Sequence, residues 1–262
     1  MNDYRVKPDQ AVNLHDHDAQ DTGDYKNKEE AAERTEHLRQ KLDALQELLY
    51  AEGNRAVLIV LQGIDTAGKD GTIRHVMSGV NPQGCRVTSF KAPTPLEMTH
   101  DFLWRIHAAC PPRGYIGIFN RSHYEDVLIT KVHDSITDKE TVRRLGEIRD
   151  FEKMLTNSGT RVLKFFLHIS EKEQKQRLLE RLDNADKHWK FSLQDLKERG
   201  YYKSYQKAFD DALSATSTEE SPWFVVPANH KWYRNLGVAE HLVRALKDLY
   251  PQLPKIHDLD LK

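Results

Sequence analysis

The strongest constraint on what this chain can fold into lies between Ala56 and His75. The aliphatic run from Ala56 to Leu61 predicts a buried strand, and a helix-compatible stretch begins near Lys69. Between them stands Gly63-Ile-Asp-Thr-Ala-Gly68-Lys69, which matches the G-x-x-x-x-G-K pattern of phosphate-binding loops. Glycine lets the backbone curl so that successive N–H groups converge, and the following helix points its positive end at the same place. We therefore predict an anion-binding loop; a tight turn of purely structural purpose is the alternative.

Two acidic residues give this loop an unusual character. Asp70 stands where a serine or threonine normally ligates Mg²⁺. Asp65, inside the loop, is therefore the candidate carboxylate for a metal, because an aspartate that faces phosphates repels them unless a cation lies between. Lys69 adds a mobile positive charge that can follow a phosphoryl group as it moves from donor to acceptor.

Hydrophobic runs alternate with helical patterns along the rest of the chain. Four further strands are predicted at residues 86–90, 115–120, 161–169 and 223–226. Helices are predicted at 26–51, 69–80, 96–109, 138–158, 193–213 and 231–250, and another follows Ser170 and Glu173, which resemble a helix-capping box. Strands separated by helices indicate an α/β fold with a five-stranded parallel sheet that is covered on both faces.

Composition narrows the class of protein. The 262 residues carry a net charge of −1 and 30% of them are charged, which is typical of a soluble protein and gives no whole-chain basic excess for binding nucleic acid. The sequence shows neither an apolar stretch of membrane-spanning length nor a secretory segment at its start, so we expect a cytoplasmic protein. Cys85 and Cys110 show no metal-binding or redox spacing.

Charge is spread unevenly along the chain. Residues 1–54 hold 7 lysines and arginines against 13 acidic residues, whereas residues 161–207 hold 12 against 7. We interpret the acidic part as a solvated surface that begins with an extended arm over about residues 1–25. The His15-Asp-His17-Asp run in this arm leaves a metal site as the alternative. The basic part lies downstream of the loop and could share a polyanion with it.

A polar cluster follows the third strand, at the end where open parallel sheets bind ligands. A simple Walker B strand would end in aspartate, but this one ends in Asn120. Arg121 is well placed to stabilise phosphoryl charge, because a guanidinium can grip two phosphate oxygens at once. Glu125 and Asp126 lie about one helical turn further on, and one of them is a candidate metal ligand or a partner that orients a basic residue. Polar residues that only cap a helix are the alternative.

Two further groups of polar residues are candidates. Lys91 and Thr94 follow the second strand and are candidates for the acceptor side; a loop with an exposed lysine is the alternative. Arg177 and Arg181 share one face of a predicted helix, being four residues apart. The basic stretch 183–191 is in the position of a lid, which would make these arginines catalytic by closing over phosphates. Two ordinary surface arginines are the alternative.

In combination, these residues resemble the polyphosphate kinase 2 family. The resemblance extends from about Tyr4 to Pro251 and is carried by Gly63-x-Asp65-x-x-Gly68-Lys69-Asp70-Gly71, by Phe119-Asn120-Arg121-Ser122-x-Tyr124-Glu125, and by Arg177-x-x-x-Arg181 leading to Lys187-His188-Trp189-Lys190. The aspartate after G-K and the Arg-Ser-x-Tyr after the strand are not shared by ordinary nucleoside monophosphate kinases. Asn120 with Glu125 is similar to the class III subgroup.

The resemblance implies a fold and an activity. The fold is a single P-loop kinase-like domain over residues 1–262, with three α/β/α layers and a helical lid at about 177–200. The activity is reversible transfer of the terminal phosphoryl group of inorganic polyphosphate to AMP or ADP, with Mg²⁺ or Mn²⁺. Adenine or guanine nucleotides and polyphosphate are then the partners, within a homodimer or homotetramer, and neither nucleic acid nor a membrane is expected.

The resemblance also implies roles for individual residues. The catalytic set is Asp65, Lys69, Arg121, Arg177 and Arg181. The phosphate and polyphosphate set is Gly63, Ala67, Gly68, Lys69, Asp70, Gly71, Arg121, Lys131 and Lys187. The nucleotide set is Lys91, Pro93, Thr94, His100 and Arg105, and the metal set is Asp65, Asn120 and Glu125. Because Asn120 replaces the usual carboxylate, Glu125 is the candidate to supply it.

Two other functions remain open. One is an ATP-dependent nucleoside monophosphate kinase on the same fold. The other is a non-catalytic nucleotide-binding switch, which needs the loop but not the arginines. Phosphoryl transfer requires positioning and charge stabilisation more than covalent help, and the phosphate of a nucleotide acceptor is already ionised at neutral pH. This explains why the sequence shows no poised histidine or serine nucleophile.

Overall fold

The fold is a parallel sheet built around the strand that precedes the phosphate-binding loop. This computed structural model describes residues 3–184, 188 and 193–254. Within them the strands are β1 (Ala56–Gln62), β2 (Cys85–Ser89), β3 (Ile116–Asn120), β4 (Thr160–His168) and β5 (Trp223–Pro227). They lie in the order β2-β3-β1-β4-β5, and every neighbouring pair is parallel. All of β1 is buried because strands flank both of its edges. The predicted five-stranded parallel sheet is confirmed.

Helices flank the sheet in two groups. They are α1 (Ala32–Glu52), α2 (Lys69–Val76), α3 (Trp104–Ala109), α4 (Glu125–Val132), α5 (Asp138–Asn157), α6 (Glu171–Asp183), α7 (Leu193–Arg199), α8 (Tyr202–Thr216) and α9 (Lys231–Leu249). α1 and α2 pack with α9, whereas α4, α5 and α8 pack with one another. Because β1 and β3 are adjacent and parallel, the loop after β1 and the turn after β3 emerge side by side. In the part of the chain that the structure describes, no helix combines the length and the apolar character needed to cross a bilayer.

The helix predicted at 26–51 begins only at Ala32, the one predicted at 69–80 ends at Val76, and two further predicted helices are interrupted. The helix predicted at 96–109 is confined to α3, preceded by a 3₁₀ turn over Glu97–Thr99. Thr94 and Glu97 cap each other there, because the Thr94 N–H donates to Glu97 Oε2 (2.6 Å) and the Glu97 N–H donates to Thr94 Oγ1 (3.3 Å). The helix predicted at 193–213 is divided into α7 and α8 at Gly200 and Tyr201. The first break lies at His100, where the backbone is extended (ψ 173°) and Asp101 Oδ1 accepts from the Leu103 N–H (2.9 Å) to begin a new turn; at the second break a glycine interrupts the pattern.

The N-terminal segment lies along the outer edge of the sheet. The Val6 N–H donates to the Trp223 carbonyl (2.8 Å) and the Val225 N–H donates to the Tyr4 carbonyl (2.9 Å). Leu14 is 1% exposed, so the segment also contributes to the core. No group of histidine, cysteine, aspartate and glutamate side chains suited to a metal ion occurs within the described ranges, which removes support for the alternative of a metal site at His15 and His17.

A buried ionic network supports the turn after β3. Lys164 of β4 and Glu152 of α5 are both 0% exposed, and Lys164 Nζ lies 2.5 Å from Glu152 Oε2. Tyr124 of the turn donates its hydroxyl to Glu152 Oε1 (2.9 Å), and the His123 ring lies 3.3 Å from the same oxygen. Burial by itself would raise the pKa of Glu152, but the charges and hydrogen bonds of Lys164 and His123 together outweigh burial and lower that pKa. The network therefore fixes the residues on either side of Tyr124 to the central sheet.

Replacing one partner of this network should strongly destabilise the fold. Lys164→Met keeps the length of the side chain but leaves Glu152 as a buried, uncompensated carboxylate, so the free energy of unfolding should fall by about 3–5 kcal/mol. Urea denaturation measures the change. Lys153→Met, which removes an exposed lysine next to Glu152 on the same helix, is the matched control and should change stability little. Adding Glu152→Gln to Lys164→Met should recover part of the loss, and equal stability of Lys164→Met and the unaltered protein would contradict this interpretation.

Candidate active site

The loop after β1 has the curled backbone that its glycines predict. Gly63 and Gly68 have φ angles of 152° and 99°, which side chains disfavour. A Cβ atom at Gly63 would lie 2.9 Å from the Leu167 carbonyl oxygen, so the close approach to β4 also requires glycine. Lys69 begins α2, and its Nζ donates to the Gly63 carbonyl over 2.7 Å. The lysine thus joins the two ends of the loop.

A cavity of about 680 Å³ opens over this loop, and we call it the loop cavity. Of the predicted residues, those that line it are Asp65, Gly68, Lys69, Asp70, Gly71, Lys91, Asn120, Arg121 and Arg181. Four basic residues from separate parts of the chain, Lys69, Lys91, Arg121 and Arg181, therefore line one space. Burial, followed by the charge of Arg121, lowers the pKa of Lys69. An anion in this cavity would relieve the repulsion between these cations.

Arg121 and Asp65 form an ion pair at the wall of the loop cavity. Arg121 Nη2 donates to Asp65 Oδ1 over 2.8 Å, and the two side chains are 39% and 27% exposed. The backbone of Arg121 is left-handed, with a φ of 62°, which is unfavourable for a residue with a side chain. The turn is held in this conformation by the buried network behind Tyr124. Strain that is maintained by surrounding structure is typical of functional sites.

Arg181 approaches the loop cavity from the opposite side. Its Nη1 donates to Asp195 Oδ2 over 3.1 Å, which links the end of α6 to α7. Both residues line the loop cavity. A second guanidinium–carboxylate pair therefore faces the loop, on the segment that was predicted to be a lid.

Glu125 lies beneath the Arg121 turn, at the start of α4. With the Gln62 amide in the orientation that satisfies both of its ends, Gln62 donates to Glu125 Oε1 over 2.9 Å and accepts from the Ser122 hydroxyl and N–H. Burial raises the pKa of Glu125, although Arg121 and Lys69 act in the opposite direction. A carboxylate in this position gains from a nearby cation, whether guanidinium or metal.

The residues present fit a site for a divalent cation whose coordination the substrate phosphates would complete. Asp65 and Glu125 line a common cavity, but no group of three or more acidic, histidine or cysteine side chains positioned for a metal exists among the residues that the structure describes. Mg²⁺ is usually held by one or two carboxylates together with substrate phosphates and water, so two carboxylates suffice. Asn120, the third predicted ligand, instead donates its Nδ2 to Asp70 Oδ1 over 2.6 Å. In this arrangement Asn120 orients Asp70, in the first turn of α2.

A second cavity, of about 240 Å³, lies behind the Arg121–Asp65 pair, and we call it the side cavity. It is lined by Glu125 and by residues of α7 and α8, among them Glu198, Tyr202 and Tyr205. Three residues, Asp65, Arg121 and Asp195, line both cavities. The ion pair is therefore a shared wall between two spaces.

The predicted nucleotide residues are divided between two places. Lys91 lines the loop cavity, whereas Pro93, His100 and Arg105 line a separate cavity of about 530 Å³. Arg105 there donates to the Lys91 carbonyl (2.8 Å) and to Asp126 (3.3 Å). Thr94 is occupied in the capping exchange with Glu97. The structure does not bring these five residues together around one space.

Of the predicted phosphate ligands, Lys131 lies away from the loop. Lys131, on α4, pairs with Asp138 and lies outside the loop cavity and the side cavity. Lys187 falls outside the residues that the structure describes. Ala67, also predicted as a phosphate ligand, is 0% exposed, its N–H donates to the Ile64 carbonyl over 3.1 Å and its carbonyl accepts from Arg177, so it does not face the loop cavity.

Arg177 occupies a different place from the one predicted. Its guanidinium lies behind the loop and donates to the carbonyls of Thr66 (2.9 Å), Ala67 (3.2 Å), Ala228 (2.6 Å) and Asn229 (2.9 Å). Its Nε donates to Glu173 Oε1 over 2.7 Å. These five bonds occupy all five N–H groups of an arginine, so none remains for a transferring phosphoryl group. In this structure Arg177 supports the loop and does not line the loop cavity.

Sequence reasoning missed a second arginine behind the loop. Arg234 of α9 is 3% exposed, and its Nη1 donates to the Ala67 carbonyl over 3.1 Å. It belongs to no motif, because it lies far along the chain from the loop. The signal that could have revealed it is a charged residue on the buried face of the last helix, next to the buried Tyr233 and Leu236.

Comparison with known proteins agrees with this site. The family model described as Polyphosphate kinase 2 matches residues 25–254. The chain is 50% identical over 256 residues to the AMP/ADP-polyphosphate phosphotransferase of Meiothermus ruber, covering 97% of this chain and 96% of that protein. It is 46% identical over 243 residues to the ADP-polyphosphate phosphotransferase of Rhodopseudomonas palustris, covering 88% and 84%.

A solved structure gives the same result for the fold. The crystal structure of polyphosphate kinase 2 from Arthrobacter aurescens has a TM-score of 0.94 to this structure at 44% sequence identity, covering 98% of this chain and 92% of that one. The matches thus extend over the loop, the turn after β3 and both arginine-bearing helices. The chain belongs to the polyphosphate kinase 2 family.

Proposed function

We propose that this protein transfers the terminal phosphoryl group of inorganic polyphosphate to AMP or ADP, reversibly and with Mg²⁺ or Mn²⁺. The observation that carries the proposal is the convergence of Lys69, Arg121 and Arg181 on one cavity above the loop. The names of the relatives support the choice of polyphosphate as donor and adenine nucleotides as acceptors. Class III membership, use of guanine nucleotides, a cytoplasmic location and assembly as a homodimer or homotetramer stay predictions.

The geometry suits a reaction that depends on charge stabilisation. The transferring phosphoryl group spreads negative charge over its oxygens in the transition state, so cations placed around it lower the barrier. Lys69 can reach that group from the loop, and Arg121 and Arg181 face it from two further sides. The acceptor is a phosphate that is already ionised. For this reason no general base is required.

A divalent cation would be held by Asp65, with Glu125 close behind. When bound, it neutralises charge between adjacent phosphates and keeps them aligned. Asp65 is paired with Arg121 in this structure, so a cation that binds Asp65 must replace Arg121 as its partner. Arg121 is then released to contact a phosphate.

Two connected cavities suit a reaction with two substrates. The loop cavity and the side cavity meet at Asp65 and Arg121, so molecules bound in both would approach each other at that pair. In-line transfer requires donor and acceptor on opposite sides of the moving phosphoryl group. The shared wall is where we place that group.

The donor can be tested directly. Incubation with ADP and Mg²⁺ should give ATP only when polyphosphate is present, and AMP offered as a separate acceptor should give ADP under the same condition. Chromatography of the nucleotides measures both products. Equal ATP formation from ADP without polyphosphate would favour an ATP-dependent nucleoside monophosphate kinase.

Removal of Arg121 tests whether the loop serves catalysis or only binding. Arg121→Ala should lower kcat on the order of 10²–10³-fold, because one stabilising donor for developing charge is lost. Arg39→Ala, which removes an exposed arginine paired with Glu36 on α1, is the control and should keep full turnover. A nucleotide-binding switch would bind nucleotide equally well in both variants and would show no turnover to lose.

Removal of the Asp65 charge tests the metal assignment. Asp65→Asn should raise the Mg²⁺ concentration that gives half-maximal rate and lower turnover by orders of magnitude, since an amide is a weaker ligand than a carboxylate. Asp211→Asn, which changes an exposed acid paired with Lys207 on α8, serves as the control. Unchanged Mg²⁺ dependence in Asp65→Asn would reject Asp65 as the metal ligand.

A further inference from the structure

Arg234 contacts the loop from the side opposite the loop cavity. Its Nη1 donates to the Ala67 carbonyl over 3.1 Å, and its other end is held by the Asn235 side chain through Nε (3.2 Å) and Nη2 (2.9 Å). A Cβ atom at Gly68 would lie 1.9 Å from Arg234 Nη1. Glycine at position 68 is therefore required both by its φ angle and by the arginine that fills the space beside it.

Two guanidinium groups meet on one carbonyl oxygen. Arg177 Nη1 lies 3.2 Å from the Ala67 oxygen that Arg234 also contacts. The two guanidinium groups carry like charges and share one acceptor, so they repel each other. Both residues are buried, at 5% and 3% exposure. A hydrophobic residue could fill the same volume without this repulsion. The pair is thus unfavourable for stability alone and calls for a functional reason.

The two arginines differ in how their charges are balanced. Arg177 pairs with Glu173, with 2.7 Å between Nε and Oε1. For Arg234, the bonds found within the described part of the chain go to a backbone carbonyl and to an amide, not to a carboxylate. Burial, followed by the charge of Arg177, lowers the pKa of Arg234 to about 10, so it remains a cation at neutral pH. A buried cation without a counter-charge is stabilised by an anion that binds nearby.

The Ala67 carbonyl also determines where a neighbouring donor points. In a trans peptide the C=O of one residue and the N–H of the next point in opposite directions. Because the arginines hold the Ala67 C=O behind the loop, the Gly68 N–H is directed to the opposite side. Gly68 lines the loop cavity, which lies on that side. Holding the carbonyl therefore orients an N–H group toward the place where a phosphate would bind.

We propose that Arg234 is a positioning residue for phosphate binding, which orients the Ala67–Gly68 peptide toward the loop cavity and gives the loop a buried positive charge that a bound polyanion balances. It does not contact the substrate and acts through the loop backbone. The inference rests on the proposed function only for the identity of the phosphate compound. Arg177 shares the orienting role, but its charge is paired with Glu173.

Binding of inorganic tripolyphosphate, measured by titration calorimetry, tests this role without requiring turnover. Arg234→Gln should weaken binding at least tenfold, because both the charge and the two-pronged donor are lost. Arg234→Lys keeps the charge but not the planar fork, so its affinity should lie between those of Arg234→Gln and the unaltered protein. The dependence of affinity on salt concentration should fall in Arg234→Gln and be retained in Arg234→Lys.

Arg55→Gln is the matched control. Arg55 is also a partly buried arginine that donates to a backbone carbonyl, that of Leu249, but it lies at the other end of β1, away from the loop. The Arg55→Gln variant should bind tripolyphosphate with the affinity of the unaltered protein, whatever the melting temperature of the variant.

The outcomes separate the two proposals. If Arg234→Gln and Arg234→Lys both melt at lower temperature yet bind tripolyphosphate with unchanged affinity, Arg234 is only structural and the inference is overturned. If the unaltered protein binds no tripolyphosphate, the proposed function fails first, and the inference fails with it. If binding weakens in both variants while the control is unaffected, the role of Arg234 is supported.

Discussion

The site depends on a loop backbone whose carbonyl groups point to one side and whose N–H groups point to the other. Carbonyl oxygens of the loop are bound by basic side chains behind it: Thr66 and Ala67 by Arg177, and Ala67 also by Arg234. Because each trans peptide directs its N–H away from its C=O, occupation of the carbonyls on one side leaves donors on the other. The helix that follows adds its positive end to the same side. A loop of small residues is thereby converted into a surface that attracts anions.

A second level of support lies under the turn after β3. Lys164, Glu152 and Tyr124 are wholly buried and bonded to one another, so the turn cannot relax without leaving a charge unpaired in the core. This explains how Arg121 can maintain a left-handed backbone. The interactions of this network, and not those of the site, offset the conformational energy of the left-handed backbone. Stability and catalysis thus meet at Tyr124, which belongs to the core although it lies three residues from Arg121.

The sheet and the loop were predictable because their signals are local. A buried aliphatic run, two glycines and a lysine specify β1, the turn and the start of α2 without reference to the rest of the chain. The helix predicted at 96–109 was wrong in its first half, because the backbone becomes extended at His100 and Asp101 caps a new turn. Arg177 was identified but misplaced, and Arg234 was missed, because their partners are loop carbonyls more than a hundred positions away in sequence. Backbone carbonyls have no sequence signature, so the pattern of side chains could mark Arg234 as buried but could not indicate which group it contacts.

The ion pair between Arg121 and Asp65 has a consequence for how a cation and a phosphate compound bind to this site. As long as the pair is closed, each group neutralises the other, so neither Asp65 nor Arg121 is available to a charged substrate. An arriving phosphate that takes the guanidinium leaves a bare carboxylate, and an arriving cation that takes the carboxylate leaves a bare guanidinium. Thermodynamic linkage makes this reciprocal: whatever factor the cation adds to the affinity for phosphate, phosphate adds to the affinity for the cation. Under the proposed assignment of the cation to Asp65, the ion pair thus couples binding of the cation to binding of phosphate.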